Sequence, residues 1–138
     1  MKIGILGAGA MGILYGGLLK RLGHDVNLIV RDYNKKKLLV DKGICLNLDL
    51  GRFTVYPEIL HIKERSRFEV IIVFTKTNDT IEALNAFKVN IDKDTYLMSL
   101  QNGLGNLEKL LVFADRSKII YGTTTVSYTH LRAHETRS

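Results

Sequence analysis

The sequence begins with a short apolar run that leads directly into a glycine-rich turn. The run occupies residues 2–6, and the six residues after it are Gly7, Ala8, Gly9, Ala10, Met11 and Gly12. This G-x-G-x-x-G spacing between a strand and a helix is typical of the phosphate-binding turn of a dinucleotide-binding βαβ unit. In such a turn Gly7 permits the sharp bend, Gly9 lets the backbone approach a pyrophosphate, and Gly12 lets the helix lie close to the strand.

The residues after the turn support this interpretation. Apolar side chains recur at helical spacing and predict an inner helix face made of Met11, Leu14, Tyr15, Leu18, Leu19 and Leu22. Gly16 lies one helical turn beyond Gly12, so the two predict a flat strip that packs on the strand. A second apolar run at residues 26–30 completes strand, turn, helix and strand within about 30 residues, the length of a βαβ unit. The alternative is a glycine-rich turn that holds no ligand.

The residues after the second apolar run bear on which nucleotide would bind. An acidic residue about 20 positions beyond the glycine motif suits the ribose 2′-hydroxyl of NAD, whereas an arginine there suits the 2′-phosphate of NADP. Arg31 comes directly after the run, Asp32 follows it, and residues 35–37 are all lysine. We therefore expect NADP(H) as the cofactor. NAD stays possible, because the spacing of Asp32 also suits the ribose 2′-hydroxyl. The alternative for these charged residues is a solvated helix start.

Composition limits the function classes. The 138 residues are 46% hydrophobic and 25% charged, as in a soluble globular domain. The net charge of +6 is dispersed apart from the lysines at 35–37, so we do not expect nucleic-acid binding. We see no signal peptide and no apolar stretch long enough to span a membrane, and we expect a cytoplasmic protein.

The cysteine and histidine residues predict neither a disulfide nor a metal site. Cys45 is the single cysteine, which suits a reducing compartment, and we expect it to be a small buried apolar residue. His24 and His61 have no metal-ligand spacing with it, so we assign them no role.

Predicted strands and helices alternate along the rest of the chain. We expect strands at residues 44–48, 53–56, 70–74, 96–100 and 118–121, the first two as a hairpin, and helices at residues 35–42, 79–87 and from 106. The β-branched run at 70–74 is typical of a strand that is buried on both faces. This order predicts an α/β fold of the Rossmann type, with a doubly wound, mostly parallel sheet.

Two polar residues come just past predicted strand ends, where ligands bind in such sheets. Lys76 follows the strand at 70–74 and can offer a cation to a phosphate or an oxyanion. Asn102 follows the strand at 96–100, and its amide can both donate and accept hydrogen bonds. The alternatives are a solvated loop lysine and a simple Asn-Gly turn.

Several segments, taken in order with the glycine motif, resemble the ketopantoate reductase family. They are Arg31, Thr75-Lys76, the Gln-Asn-Gly-Leu-Gly-Asn of residues 101–106 and the Gly-Thr-Thr-Thr of residues 122–125. The resemblance extends to about residue 125. It implies a Rossmann domain followed by an all-helical domain, and NADPH-dependent reduction of 2-dehydropantoate to pantoate in pantothenate and coenzyme A synthesis. It also implies that residues 7–12, Arg31, Lys76 and Asn102 contact the cofactor, and that Lys76 and Asn102 border the 2-keto acid substrate.

The implied chemistry needs a group that we do not find in the sequence. Hydride attack on a ketone leaves negative charge on the oxygen, and a general acid must protonate it. In the family this acid is a lysine of the helical domain, which has no counterpart here, and we do not assign its role to Lys76. We therefore expect this chain to be the cofactor-binding half of an enzyme, without a catalytic residue of its own and inactive alone.

The last thirteen residues do not continue the family pattern. They resemble a translated adapter from sequencing libraries, so we expect a domain at residues 1–125 and a non-native read-through tail at residues 126–138. The alternative is a genuine C-terminal strand. His130 and His134 are four positions apart, but we discount them as metal ligands because they lie in this tail.

Two other functions stay open on sequence grounds. One is a different two-domain dehydrogenase with a similar N-terminal half, of the 3-hydroxyacid or opine type. The other is a non-enzymatic nucleotide-sensing domain.

Overall fold

The computed structural model of the chain describes residues 1–100 and 106–122, and these form eight strands and four α-helices. The strands there are β1 Lys2–Leu6, β2 Asp25–Val30, β3 Ile44–Leu48, β4 Gly51–Val55, β5 Glu58–His61, β6 Val70–Val73, β7 Tyr96–Ser99 and β8 Ile119–Tyr121. The helices are α1 Ala10–Arg21, α2 Tyr33–Lys42, α3 Thr80–Phe87 and α4 Asn106–Leu111. Short 3₁₀ turns occupy Thr77–Asp79, Lys88–Asn90 and Arg116–Lys118. The predictions for Asn102 and for residues 123–138 lie outside the described residues.

Six strands form one parallel sheet in the order β5-β2-β1-β6-β7-β8. The chain builds outward from β1 in one direction and then from β6 in the other, which confirms the predicted doubly wound α/β fold. Leu6, the last residue of β1, pairs with Ile29 of β2 on one side and Val73 of β6 on the other. The strand order therefore reverses where β1 ends, and ligands bind at such a point in open α/β sheets.

The sheet is covered on both faces, so neighbouring residues of β1 belong to different halves of the core. Ile5 packs with Leu28 on the α1 face, while Leu6 packs with Phe87 on the α3 face. All four residues of β6 are buried, as the β-branched run predicted. No helix in the described part of the chain is both long and apolar enough to cross a bilayer.

Helix α1 lies between the main sheet and the β3–β4 hairpin. A Cβ atom on Gly16 would lie 3.8 Å from Ile5, while a Cβ on Gly17 would lie only 2.8 Å from the Leu46 side chain. The Arg21 guanidinium stacks 3.6 Å above the Phe53 ring of the hairpin. The predicted hairpin and the close approach of α1 to β1 are thus both confirmed, and α1 packs between the hairpin and the sheet.

Two sequence expectations, for Leu22 and Cys45, were wrong, and one strand was missed. Strand β5 was not predicted, because it is a four-residue edge strand that begins with a charged residue and pairs with β2 alone. Leu22 was placed on the inner face of α1, but the helix ends at Arg21 and Leu22 is 73% exposed beyond it. Cys45 was expected to be buried, but Ile44 and Leu46 take the inward positions of β3 and leave Cys45 exposed on the other face.

Candidate nucleotide-binding cleft

A cleft of about 240 Å³ opens at the carboxyl ends of β1, β2 and β6. Its lining residues come from the glycine turn, the segment after β2, the residues after β5 and β6, and helix α3; they include Gly7, Gly9, Arg31, Lys35, Ile62, Thr75 and Ala83. The cleft therefore lies at the edge where the sequence predicted a ligand.

The three glycines of the motif meet different surroundings. Gly7 has φ +110°, and a Cβ there would lie 2.9 Å from the carbonyl carbon of Phe74, so only glycine fits without strain. A Cβ on Gly12 would overlap the Gly7 carbonyl oxygen. A Cβ on Gly9, in contrast, would meet nothing within 4 Å. Packing within the protein requires Gly7 and Gly12 but does not require Gly9, which faces open space.

The start of α1 is electrically suited to an anion. Gly9 is the N-cap and has no side chain to bind the free N–H groups, and the first turn contains no acidic residue. Free N–H groups and the helix dipole favour negative charge at this point. Lys35 adds a full positive charge beside the turn, because its Nζ donates a 2.6 Å hydrogen bond to the carbonyl oxygen of Ala8.

Arg31 and Asp32 have different roles in the structure. Asp32 is the N-cap of α2, and its carboxylate accepts a 2.9 Å hydrogen bond from the Asn34 N–H. Arg31 and Asp32 both line the cleft, and the Arg31 guanidinium lies 3.5 Å from the Glu82 carboxylate of α3. The Asp32 carboxylate thus caps the start of α2, and the Arg31 side chain takes part in an exposed ion pair.

The three lysines of α2 have different surroundings. Lys35 reaches the glycine turn, Lys36 forms an ion pair with Glu64, and Lys37 is exposed. The hydrogen bond from Lys36, assisted by the backbone N–H of His61, holds the pKa of the Glu64 carboxyl below its usual range. Of these lysines, only Lys35 lines the cleft.

Lys76 lies on the same edge of the sheet, past the end of β6. Its side chain is exposed, and its carbonyl oxygen accepts a 3.2 Å hydrogen bond from the Thr80 hydroxyl, which is also 2.9 Å from the Thr75 hydroxyl. These bonds hold the turn that carries Lys76. Because Asn102 lies outside the described residues, its predicted proximity to Lys76 stays a prediction.

An aromatic pair borders this edge. The ring of Tyr15 on α1 stacks on Phe74 with 5.2 Å between centroids, and partial burial raises the pKa of the Tyr15 hydroxyl. The two rings place an apolar surface beside the backbone that follows β6.

The contacts of His61 and Glu82 with Arg31, and of Lys35 with Ala8, were not predicted from the sequence. His61 is buried at the end of β5 and contacts the Arg31 carbonyl, and Glu82 meets the Arg31 side chain from α3. No motif marks these residues, because His61 and Glu82 meet Arg31 from two different elements of the fold. The described residues contain no cluster of side chains suited to a metal ion.

Comparisons with known proteins agree with this geometry. The family model described as Ketopantoate reductase PanE/ApbA matches residues 3–137 of the chain. A 2-dehydropantoate 2-reductase from Pyrococcus horikoshii is 41% identical over 130 residues, which cover 91% of this chain and 40% of the relative.

Solved structures are similar over the same part. A 2-dehydropantoate 2-reductase from Geobacter metallireducens aligns with a TM-score of 0.71 and 31% identity, over 88% of this chain and 40% of that chain. The ternary structure of D-mandelate dehydrogenase with NADH and anilino(oxo)acetate aligns with a TM-score of 0.82 and 30% identity, over 89% and 40%. This chain therefore spans about 40% of the length of the relatives described here.

Proposed function

The chain belongs to the ketopantoate reductase family PanE/ApbA, and from that premise we propose that it is the NADPH-binding part of an enzyme that reduces 2-dehydropantoate to pantoate in pantothenate and coenzyme A synthesis. The observation that carries the proposal is the open space at Gly9, at the start of α1 and in a cleft that Arg31 and Lys35 also line. A pyrophosphate at Gly9 would lie on the free N–H groups of the helix, beside the Lys35 ammonium.

We propose NADPH rather than NADH as the preferred cofactor. Arg31 is the positively charged residue next to the end of β2, where a ribose phosphate would lie. Asp32 also lines the cleft, and its carboxylate accepts one hydrogen bond from the Asn34 N–H. A cofactor that carries a 2′-phosphate gains a charge-assisted hydrogen bond with Arg31, which NADH cannot form. The similar D-mandelate dehydrogenase structure contains NADH, so NADH is the alternative cofactor in the test below.

We propose that residues 7–12, Arg31, Lys76 and Asn102 contact the cofactor and that Lys76 and Asn102 border the substrate. When bound, the nicotinamide supplies the hydride for the ketone carbon. Lys76 is an exposed cation past β6, so it can bind a phosphate of the cofactor or the developing negative charge on the ketone oxygen. We assign the general acid to a part of the family fold that this sequence does not match, and we expect no ketopantoate turnover by the 138-residue chain.

A second candidate substrate rests on the structural comparison. Because D-mandelate dehydrogenase aligns with a TM-score of 0.82, another small 2-keto acid is the alternative to 2-dehydropantoate. We expect the substrate contacts that separate these alternatives to lie in the part of each relative that this chain does not cover.

We also propose that residues 1–125 form the nucleotide-binding unit and that residues 126–138 are not native to it. The family model also matches most of residues 126–138, because its match extends to residue 137. Chains with and without these residues should therefore be compared directly. A chain shortened to residues 1–125 should bind the cofactor as tightly as the 138-residue chain; a large loss of affinity would show that the tail belongs to the domain.

The proposed function is tested by titrating the 138-residue chain with NADPH and with NADH while following nicotinamide fluorescence. We expect tighter binding of NADPH, and we expect Arg31→Ala to reduce this preference about tenfold. Arg52→Ala is the matched control, because Arg52 lies on the β4 strand of the hairpin and contacts Asn47 instead of the cleft. A chain that binds neither nucleotide, or one whose preference survives in Arg31→Ala, would contradict the proposal.

A further inference from the structure

His61 is a buried histidine beside the proposed ribose-phosphate site. It is the last residue of β5 and only 3% of its surface is exposed. It pairs with Val30 of β2 in the parallel sheet, and the Ile62 N–H donates a 2.8 Å hydrogen bond to the Val30 carbonyl oxygen. The next residue of the β2 segment is Arg31, so His61 lies where regular sheet pairing with that segment ends.

Both ring nitrogens of His61 have backbone partners. Nδ1 is 3.1 Å from the Lys63 backbone nitrogen, whose N–H can only donate, so Nδ1 accepts. The proton of the neutral ring is therefore on Nε2, which donates to the Arg31 carbonyl oxygen at 2.7 Å. The Tyr33 ring covers His61 in a parallel stack, with 3.7 Å between centroids and 3° between the planes.

The backbone of His61 is itself anchored. Its N–H donates a 3.0 Å hydrogen bond to the Glu64 carboxylate, and its carbonyl oxygen accepts a 2.8 Å hydrogen bond from the Glu64 N–H. The same carboxylate pairs with Lys36 of α2. The imidazole thus extends from a fixed turn to the peptide of Arg31.

We propose that His61 is a positioning residue for the nucleotide site: by binding the Arg31 carbonyl it fixes the backbone from which the Arg31 guanidinium reaches the 2′-phosphate of NADPH. The inference rests on the proposed function. Arg31 needs such an anchor because its side chain is 47% exposed and meets Glu82 only in a surface ion pair. A fixed backbone reduces the number of orientations that the guanidinium must lose when the phosphate binds.

The test compares two substitutions in the 138-residue chain that differ in which hydrogen bond of His61 they can replace. In His61→Asn the amide oxygen can still accept from the Lys63 N–H, but the side chain is too short to reach the Arg31 carbonyl. In His61→Gln the amide nitrogen can take the place of Nε2 and donate to Arg31. Affinities for NADPH and NADH are measured by the same fluorescence titration, and thermal unfolding is recorded separately.

We expect His61→Asn to lower the ratio of NADPH affinity to NADH affinity about fivefold, the size typical of one hydrogen bond, and to change NADH affinity less than about twofold. We expect His61→Gln to keep the wild-type ratio. If His61→Asn does not fold, His61→Leu fills the space without a donor, and the same loss of ratio is expected.

The outcomes separate this inference from the proposed function. A wild-type chain that does not favour NADPH contradicts both. A wild-type preference that persists in His61→Asn, or affinities for both nucleotides that fall in parallel, would show that His61 only stabilises the fold.

Discussion

Arg31 and Glu82 form an ion pair beside the cleft, with 3.5 Å between Nη1 and Oε1. Arg31 follows β2 and Glu82 lies in the first turn of α3, so the pair connects two elements on one edge of the sheet. The Arg31 side chain is about half exposed and the Glu82 side chain is largely exposed, so the pair contributes little to stability. If Arg31 binds the 2′-phosphate of NADPH as proposed, the Glu82 carboxylate competes with that phosphate for the guanidinium.

We expect Glu82→Gln to strengthen NADPH binding about two- to fivefold and to leave NADH binding unchanged, because the carboxylate no longer competes for Arg31. The two affinities are measured by titration at low ionic strength, where the exposed charges are least screened. Glu58→Gln is the control, since Glu58 is an exposed glutamate at the opposite end of β5. Weaker NADPH binding in Glu82→Gln would mean that Glu82 orients Arg31 rather than competing for it.

The glycine turn allows binding to be separated from folding. We expect Gly9→Ala to weaken binding of both nucleotides more than tenfold, because its Cβ fills the pyrophosphate space, and to cost at most about 1 kcal/mol of stability at the N-cap. We expect Gly12→Ala to lower the free energy of unfolding by about 2–3 kcal/mol or more, because its Cβ overlaps the Gly7 carbonyl. Urea unfolding and nucleotide titration of both variants check this, and equal loss of stability in the two would contradict it.

Lys35 should act on phosphate binding in general rather than on cofactor choice. Its ammonium lies at the Ala8 carbonyl, beside the pyrophosphate space, so Lys35→Gln should weaken NADPH and NADH about equally, roughly tenfold. Lys37→Gln is the matched control on the same helix, because Lys37 is exposed. If the two variants bind both nucleotides alike, the contact with Ala8 has no role in binding.

The lowered pKa of Glu64 predicts that its contribution to the free energy of unfolding depends on pH. The pKa of the Glu64 carboxyl is lower in the folded chain than in the unfolded chain. The ionised carboxylate therefore stabilises the fold at pH values above its unfolded-state pKa, and this stabilisation is lost as the pH falls through its folded-state pKa. Because 37% of its side chain is exposed, we expect Glu64→Gln to cost less than about 1 kcal/mol at pH 7, with the difference from wild type closing below about pH 4. Urea unfolding at several pH values tests this, and a difference that does not vary with pH would contradict it.

Most of the fold could be predicted because its signals are local. Helix α1, the hairpin and the buried β6 strand depend on side-chain periodicity within a few residues. Strand β5 could not be predicted in this way, since its four residues form a strand only by pairing with β2. That omission had a consequence for the site, because without β5 there was no reason to place His61 beside Arg31.

The exposure of individual residues was predicted less well than the elements. Leu22 fits the helical period of α1 but lies beyond its last turn, and Cys45 lies on the outward face of a strand whose inward positions are apolar. Both errors arise because periodicity identifies a face, whereas the end of an element and its packing partner decide what that face contacts.

The sequence by itself determined the glycine turn, the α/β alternation and the positive residue after β2, because each depends on spacing within a short segment. Only the tertiary structure decided that Lys35 reaches Ala8 and that His61 and Glu82 meet Arg31, since these contacts join residues 27 to 51 positions apart. The strand order of the sheet brings those distant segments to one edge. The physical reason is that a turn forms from its own backbone geometry, whereas a charged cleft is assembled by packing.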